Sequence, residues 1–552
     1  MSNVLAAADR AQQGRTTARV LVADEISQEG ITIMQSALEV VYEPAITAEK
    51  LLSVIGDFDA LLVRSRCKVT KDVIQASKRL KLVGRAGVGV DNIDLQAATE
   101  AGVLVINSPE GNTASAAEHA VALLFALARQ VPTADASMKQ GKWDRNKFLG
   151  CELFNKTLGL VGLGKVGSRV AQAAQAVGMK VIGYDPLISA ERAQQLNIQS
   201  VPLEEIWQRS DFISLHTPKT RETANMINDT VLAMMKPGAR IINAARGGII
   251  DEAALAKAIK EGKLAGAALD VFDSEPPDPN SPLLSLGDKV VLTPHLGAST
   301  FEAQYNVAID LAEQIRDYMT GGMVRSPVNL SFMRPEIMRT LGKFIFLSEA
   351  MAAIAGELCE GAVKNVEVTV HGALSQKDIS PLAIAALKGL FSSKVESVTY
   401  VNAHLIARNH GIQVREVRSE DKDGEYDEIS ITVSGESGRS SVSGTVLAHN
   451  EPLITKVNDF PINLSPQKFM LFTSHADKPG MVAKVAGVLG QFDINISTMS
   501  VARKGVREEA VMVMTLDDRI KPELVKQLSA EAGIHMARFV TLENLSRLYE
   551  RS

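Results

Sequence analysis

The sequence predicts an α/β protein with two doubly wound domains on parallel sheets, followed by an α+β domain and a small unit of two helices and four strands. Three observations carry this. Up to Gly321-Gly322, short apolar runs alternate with helical stretches, the pattern of parallel sheets covered on both faces. Within that region a glycine-rich turn, Gly162-Leu-Gly164-Lys-Val-Gly167, joins a strand to a helix. After Pro327 the character shifts to Val-rich segments that alternate apolar and polar residues. At 552 residues the chain exceeds the ~250–300 at which a single core stops growing, so several domains are required.

Residues 18–23, 58–64 and 80–85 read as buried strands with helical stretches between them, and 103–107 closes this first unit. Residues 114–129 form an Ala-rich helix. A second series starts at Lys156, with strands at 157–161, 180–184, 211–215, 239–243, 266–269 and 290–292. Two such units imply a cleft between them. An amphipathic helix at 302–319 can lead the chain back to the first unit, so the expected domains are 18–107 with 296–328, and 108–295. A third domain covers 331–460, with strands at 366–370 and 429–433, and its mixed-charge run 415–428 reads as a solvated hairpin or loop. The last domain, 468–552, reads as strand 468–473, helix 481–491, strands 495–501 and 509–515, helix 521–531 and strand 535–541, a ferredoxin-like order.

Composition narrows the function classes. The chain is 46% hydrophobic and 22% charged, ordinary for a globular protein. A formal net charge of -5 with mixed signs offers no basic field to nucleic acid, and no Lys/Arg block marks a membrane surface. No apolar run approaches the ~20 residues of a membrane span. Cys67, Cys151 and Cys359 are odd in number and widely spaced, which indicates neither a disulfide framework nor a zinc site and fits the cytoplasm. No metal is expected. Residues 1–18, with Arg10, Arg15 and Asp9, read as a frayed terminus more than a transit segment.

The glycine-rich turn has the context that makes it informative. Small residues at Gly162, Gly164 and Gly167 let the backbone approach a pyrophosphate, and the helix N-terminus offers free N–H groups to it. The next strand ends at Asp185, near the ~20-residue interval at which a carboxylate meets a ribose. Asp185 favours NAD, since the 2'-phosphate of NADP would place like charges in contact. This is a Rossmann-like unit. Further on, Arg246, Glu275 and His295 each follow a strand, and strand C-termini are where such sheets hold ligands. Moving a hydride from the carbon of a hydroxy acid needs a base for the hydroxyl proton, and histidine has a suitable pKa. A carboxylate can orient the imidazole, and a guanidinium can polarise the oxygen and hold a carboxylate.

The stretches Val63-Arg-Ser, Gly84-Arg-Ala-Gly-Val-Gly-Val-Asp-Asn-Ile-Asp, Gly111-Asn-Thr-Ala-Ser-Ala-Ala-Glu-His, Ala244-Ala-Arg-Gly-Gly and Thr293-Pro-His-Leu-Gly-Ala-Ser-Thr resemble the D-isomer-specific 2-hydroxyacid dehydrogenase family. The resemblance covers nearly the whole chain and is to its long-form members, which oxidise 3-phospho-D-glycerate to 3-phosphooxypyruvate at the start of L-serine synthesis. It implies His295 as acid/base, Glu275 as its partner and Arg246 as the substrate arginine. It also implies NAD contacts at Val88, Lys165, Val166, Asp185, Thr217, Pro218, Ala244, Ala245, Arg246, Asp270, His295, Gly297 and Ala298, with Lys165-Val166 standing where Arg-Ile is common. Arg64, Ser65 and Arg85, with the N–H groups of Val88 and Gly89, would hold the 3-phosphoglycerate, and Arg66 and Lys68 add positive potential. Arg145 would reach the phosphate from a neighbouring subunit, which requires a homodimer or homotetramer.

Residues 331–460 resemble the intervening domain of the long-form enzymes, and the last domain resembles the ACT domain. There His475, Asp477 and Asn495 match residues that hold an effector such as L-serine between two copies, while the plainer reading has Asp477 cap a helix and Asn495 occupy a turn. The resemblance admits action on 2-hydroxyglutarate or 2-oxoglutarate as well. Two rival readings share the triad, a glyoxylate or hydroxypyruvate reductase and an NAD(H)-sensing corepressor.

Overall fold

The computed structural model describes residues 17–330, 335–395, 398–419, 427–447, 451–543 and 545. Most of the terminal segment read as frayed, residues 1–16, lies outside them. The first sheet holds β1 (Arg19–Val22), β2 (Glu39–Tyr42), β3 (Ala60–Val63), β4 (Leu82–Arg85) and β5 (Leu104–Asn107), all parallel, in the order β2-β1-β3-β4-β5. Its inner strands are almost entirely apolar because helices cover both faces. β2 escaped the sequence reading. It is an edge strand of four half-exposed or exposed residues and carries little apolar signal.

The second sheet is also parallel, with β6 (Thr157–Val161), β7 (Lys180–Tyr184), β8 (Gln199–Ser200), β9 (Phe212–Leu215), β10 (Ala239–Asn243), β11 (Leu264–Leu269) and β12 (Val290–Leu292) in the order β12-β11-β10-β9-β6-β7-β8. The order reverses between β6 and β9, which opens a crevice at their C-terminal ends. The helix Thr113–Arg129 leads from the first sheet into this one. The helix Phe301–Met319 returns, and Val307, Leu311, Ala312 and Ile315 join one core with Val20, Val22, Leu82 and Leu104. The return is close. A Cβ on Gly30 would lie 3.0 Å from the Ala308 carbonyl, and one on Gly84 3.0 Å from Ile315.

The third sheet is mixed and holds β13 (Val363–His371), β14 (Gln413–Arg418), β15 (Glu428–Gly435), β16 (Arg439–Val446), β17 (Pro452–Val457) and β18 (Phe460–Leu464) in the order β14-β13-β15-β16-β17-β18. Here one expectation is corrected. Residues 415–418 of the charged run lie in strand β14, paired in parallel with β13, while 420–426 lie outside the described residues. The charges misled because β14 is an edge, and its side chains reach solvent while its backbone completes the sheet. The 24-residue helix Pro335–Leu358 covers this sheet.

The fourth sheet has β19 (Phe469–Ala476), β20 (Ile496–Arg503), β21 (Glu509–Leu516) and β22 (Ile534–Thr541) in the order β20-β21-β19-β22, wholly antiparallel, with two helices in the ferredoxin-like arrangement. The fold is thus α/β with two doubly wound sheets, then an α+β unit and a ferredoxin-like unit.

Inside the third unit Glu349 is fully buried, with Lys388 and the Tyr400 hydroxyl both bonded to its carboxylate. The Lys388 ammonium also lies 4.8 Å from the Tyr400 ring centroid. Removing the cation leaves a buried charge undercompensated, which costs about 3–5 kcal/mol. Lys388→Met is therefore expected to lower the unfolding free energy of this unit by that amount, read as a lower denaturant midpoint at unchanged slope, while leaving the other sheets' transitions in place. An unchanged midpoint would contradict it.

Candidate functional site

The cleft between the two parallel sheets has a volume of about 880 Å³ and is lined by Arg64, Ser65, Arg85, Val88, Gly89, Asp91, Arg246, Glu275, His295 and Ala298 among others. Strand ends deliver these residues. Arg64 follows β3 and Arg85 ends β4, beside the strand reversal of the first sheet. Arg246 follows β10, and His295 lies two residues beyond the Thr293 that follows β12.

The loop after β3 is shaped by a buried carboxylate. Asp24 accepts from the backbone N–H of Arg64 at 2.6 Å and of Cys67 at 3.1 Å, and pairs with Arg66 at 3.0 Å. The Arg66 guanidinium also donates to the carbonyls of Ala23, Pro44 and Ile46. Arg66, expected only to add positive potential, is therefore a staple of this loop with its charge set against Asp24. The Arg64 side chain has no partner among the described residues. Asn107 Nδ2 donates to the Val88 carbonyl at 2.6 Å, fixing the peptide that carries the Gly89 N–H.

Three cations crowd this cleft. Burial and the neighbouring Arg246 push the Arg85 pKa down to about 10, with Arg64 adding to the repulsion and Asp91 opposing it. Arg85 remains charged at neutral pH, and its Nε is buried without a partner. Arg246 lies 3.5 Å from Asp91 and donates to the Ala245 carbonyl. Such a cluster is suited to a small polyanion.

His295 Nδ1 is 2.7 Å from a Glu275 carboxylate oxygen, and the other oxygen accepts from the Phe272 N–H. A carboxylate can only accept, so Nδ1 carries the proton and Nε2 is left as the free acceptor. His295 adopts φ 55°, a left-handed conformation uncommon outside glycine. Asp270 holds it there. Its carbonyl accepts from His295 N, and its carboxylate from Leu296 N, Gly297 N and the Thr293 hydroxyl. Asp270 is fully buried and also bonded to His119, a residue whose part in the site went unassigned in the sequence. Burial would raise the Asp270 pKa, but the bonds from His119, Thr293 and Leu296 together hold it below the ordinary value.

The residues of the glycine-rich turn fit a dinucleotide. A Cβ on Gly164 would meet nothing within 4 Å, so the space above the turn is open. Gly162 has φ +96°, and a Cβ on Gly167 would lie 2.1 Å from the Gly162 carbonyl, so both positions require glycine. Asp185 accepts from Leu163 N and Leu187 N, each at 2.8 Å, tying the turn to the end of β7. The Thr217 hydroxyl beside this turn is buried without a partner. Lys165 and Val166 open the following helix, with Lys165 paired to Glu110. Pro218 follows β9, Ala244 and Ala245 follow β10, and Gly297 and Ala298 close the His295 turn.

Two groups of expected residues stand apart from the cleft. Arg145 lies in a short exposed 3-10 turn and does not line it. His475 and Asp477 mark the end of β19, whereas Asn495 precedes β20. Ala476 pairs with Glu509 at one end of β21 and Ile496 with Leu516 at the other, a separation of roughly 20 Å. One copy therefore does not bring Asp477 and Asn495 to one ligand. Asp477 accepts from Arg507 N and Arg503 and does not cap the helix Met481–Gln491, while Asn495 donates to Asp517. His475 is buried, with its Nε2 unpartnered.

Three family models match the chain. They are the NAD binding domain of D-isomer specific 2-hydroxyacid dehydrogenases at residues 121–297, the D-3-phosphoglycerate dehydrogenase intervening domain at 340–458, and the ACT domain at 469–533. A D-3-phosphoglycerate dehydrogenase of Synechocystis sp. is 46% identical over 96% of this chain and 95% of its own length. The chain belongs to the D-3-phosphoglycerate dehydrogenase family. A second member, from Archaeoglobus fulgidus, is 42% identical over 95% of this chain and all of its own length. Among solved structures, D-lactate dehydrogenase from Aquifex aeolicus, complexed with NAD and lactic acid, matches 55% of this chain and 96% of its own at 30% identity and a TM-score of 0.50. The cofactor of this family fold is NAD. Among the described residues no helix is long and apolar enough to cross a membrane.

Behind the cofactor turn, His216 is half-buried and bonded to the Ser214 hydroxyl, and its burial lowers its pKa from 6.5 to about 4. The unfolded chain takes up this proton near pH 6.5 and the folded one refuses it until about pH 4. Stability is therefore expected to fall as pH drops through that window, by roughly 3 kcal/mol in all. His216→Gln should flatten that part of the stability profile in a denaturant titration series, and an unaltered slope would count against the assignment.

Proposed function

We propose that this chain is the NAD-dependent dehydrogenase that oxidises 3-phospho-D-glycerate to 3-phosphooxypyruvate, the first step of L-serine synthesis. The observation that carries the reading is the meeting of Arg64, Arg85 and Arg246 in one cleft with the His295–Glu275 pair. A carboxylate and a phosphate on a three-carbon chain supply the anions that three crowded guanidinium groups call for. An unphosphorylated glyoxylate would leave Arg64 and Arg85 without a counter-charge, and this disfavours the reductase alternative.

Arg246 would hold the substrate carboxylate and polarise the C2 oxygen, exchanging Asp91 for it, with the N–H groups of Val88 and Gly89 assisting. Arg64, Ser65 and Arg85 would hold the phosphate. His295 Nε2 would remove the hydroxyl proton while Glu275 keeps the ring oriented and stabilises its charged form. When bound, NAD supplies the acceptor for the hydride leaving C2. Gly162, Gly164, Lys165, Val166, Gly167, Thr217, Pro218, Ala244, Ala245, Gly297 and Ala298 would form its seat, with Asp185 toward the ribose. The same reading divides the chain into a substrate domain (18–107 with 296–328), an NAD domain (108–295), an intervening domain (331–460) and a regulatory domain (468–552).

Assembly belongs to the proposal. Val131, Met138, Trp143, Leu149 and Phe154 are all more than half exposed within one short segment, a surface that a second copy would cover. Arg145, in that segment, would then complete the phosphate site of the neighbouring cleft. L-serine is the proposed effector, held between Asp477 of one copy and Asn495 of another, in keeping with their separation within a single chain. A cytoplasmic setting agrees with three unpaired cysteines.

Initial rates of NADH formation test the assignment. His295→Asn is expected to lower kcat by about 10²–10⁴-fold. Arg64→Ala and Arg85→Ala should each raise KM for 3-phospho-D-glycerate by about 10–100-fold, the loss of a charge-assisted bond, and leave D-glycerate turnover unchanged. Equal efficiency with the two substrates in the unaltered protein would overturn the assignment. L-serine should slow the unaltered enzyme and fail to slow Asn495→Ala; inhibition of both alike would remove Asn495 from the effector site.

A further inference from the structure

We infer that His119 is a positioning residue for the reaction, setting the place of His295 through Asp270. The inference rests on the reading of His295 as the acid/base group. His119 lies on the helix Thr113–Arg129, and its Nε2 is 3.0 Å from Asp270 Oδ1 and 3.1 Å from Thr293 Oγ1. The Thr293 hydroxyl donates to the same Asp270 oxygen at 2.6 Å. Its proton is thus committed, and the carboxylate can only accept. The donor in the triangle is therefore His119 Nε2–H, shared between both oxygens.

The geometry gives this bond a mechanical consequence. Asp270 is the hub of the turn that carries His295, since its remaining bonds go to Leu296 N and Gly297 N on one side and its own carbonyl receives His295 N. His295 is held in a left-handed conformation that a free chain would avoid. A carboxylate tethered from behind cannot drift toward solvent, and the turn that depends on it cannot relax. The helix bearing His119 is stitched to the same loop a second time, by the Ser115 and Thr300 hydroxyls 2.7 Å apart. His119 itself lines no part of the cleft and acts at one remove from substrate.

Gln and Met are matched in length and differ in whether they can donate, so the pair His119→Gln and His119→Met isolates the bond from the packing. Both variants would be assayed as the full-length protein with 3-phospho-D-glycerate and NAD, alongside His295→Asn and with thermal melting of each. The expected result is that His119→Met loses about 10–100-fold in kcat, the scale of a displacement near 1 Å. KM for both substrates should stay within about threefold, and His119→Gln should recover most of the loss. Equal kcat in the Gln and Met variants, or a Met variant that melts lower but turns over normally per folded molecule, would overturn the inference. If His295→Asn itself keeps full activity, the acid/base reading falls instead, and the two failures are told apart.

Discussion

The buried carboxylate of Asp270 is the constraint on which the site depends. A charge taken fully out of water must be surrounded by donors, and here the donors come from three separate places: the helix Thr113–Arg129, the strand-following Thr293, and the two peptides after His295. Satisfying that one group fixes the relation between the end of β11, the turn after β12 and the helix that enters the second sheet. A non-glycine residue in the left-handed region costs of order 1–3 kcal/mol, and the Asp270 bonds offset it. The reactive imidazole is thus placed by a network lying behind it, and Glu275 has only to set the ring's orientation and tautomer.

Charge in front of His295 obeys the same logic with the sign reversed. Asp24 and Asp91 are the carboxylates paired with guanidinium groups here, Asp24 with Arg66 and Asp91 with Arg246. Arg85 is half-buried, depressed in pKa and lacks a partner for its Nε, while the Arg64 side chain has no partner among the described residues. This imbalance is a standing attraction for a polyanion, and the strand reversal of the first sheet puts it opposite the nucleotide crevice of the second. Substrate and cofactor sites thereby face one another across a single cleft.

The sequence revealed what is encoded locally. Gly162, Gly164, Gly167 and Asp185 were legible because strand, turn, helix and acid follow one another within about 30 residues, and Arg246, Glu275 and His295 because each follows a recognisable strand. His119 was not, although it lies in a motif that was noticed, because its partner Asp270 is 151 residues away and a lone helical histidine gives no sign of its direction. The stapling role of Arg66 was hidden for a related reason: its sequence neighbours show charge, whereas its commitment to Asp24 and three carbonyls is a property of the folded loop. β2 and β14 are edges whose polar faces hide them from any hydrophobic pattern. The separation of Asp477 from Asn495 follows from strand order and cannot be read along a chain.

The central claim is direct hydride transfer from C2 of the phosphorylated hydroxy acid, under the base His295, to the cofactor. A single turnover with 3-phospho-D-glycerate deuterated at C2, followed by analysis of the reduced cofactor, measures this most directly. The account predicts that the deuterium is recovered on the nicotinamide ring. Recovery of the label in water, with an unlabelled reduced cofactor, would contradict it.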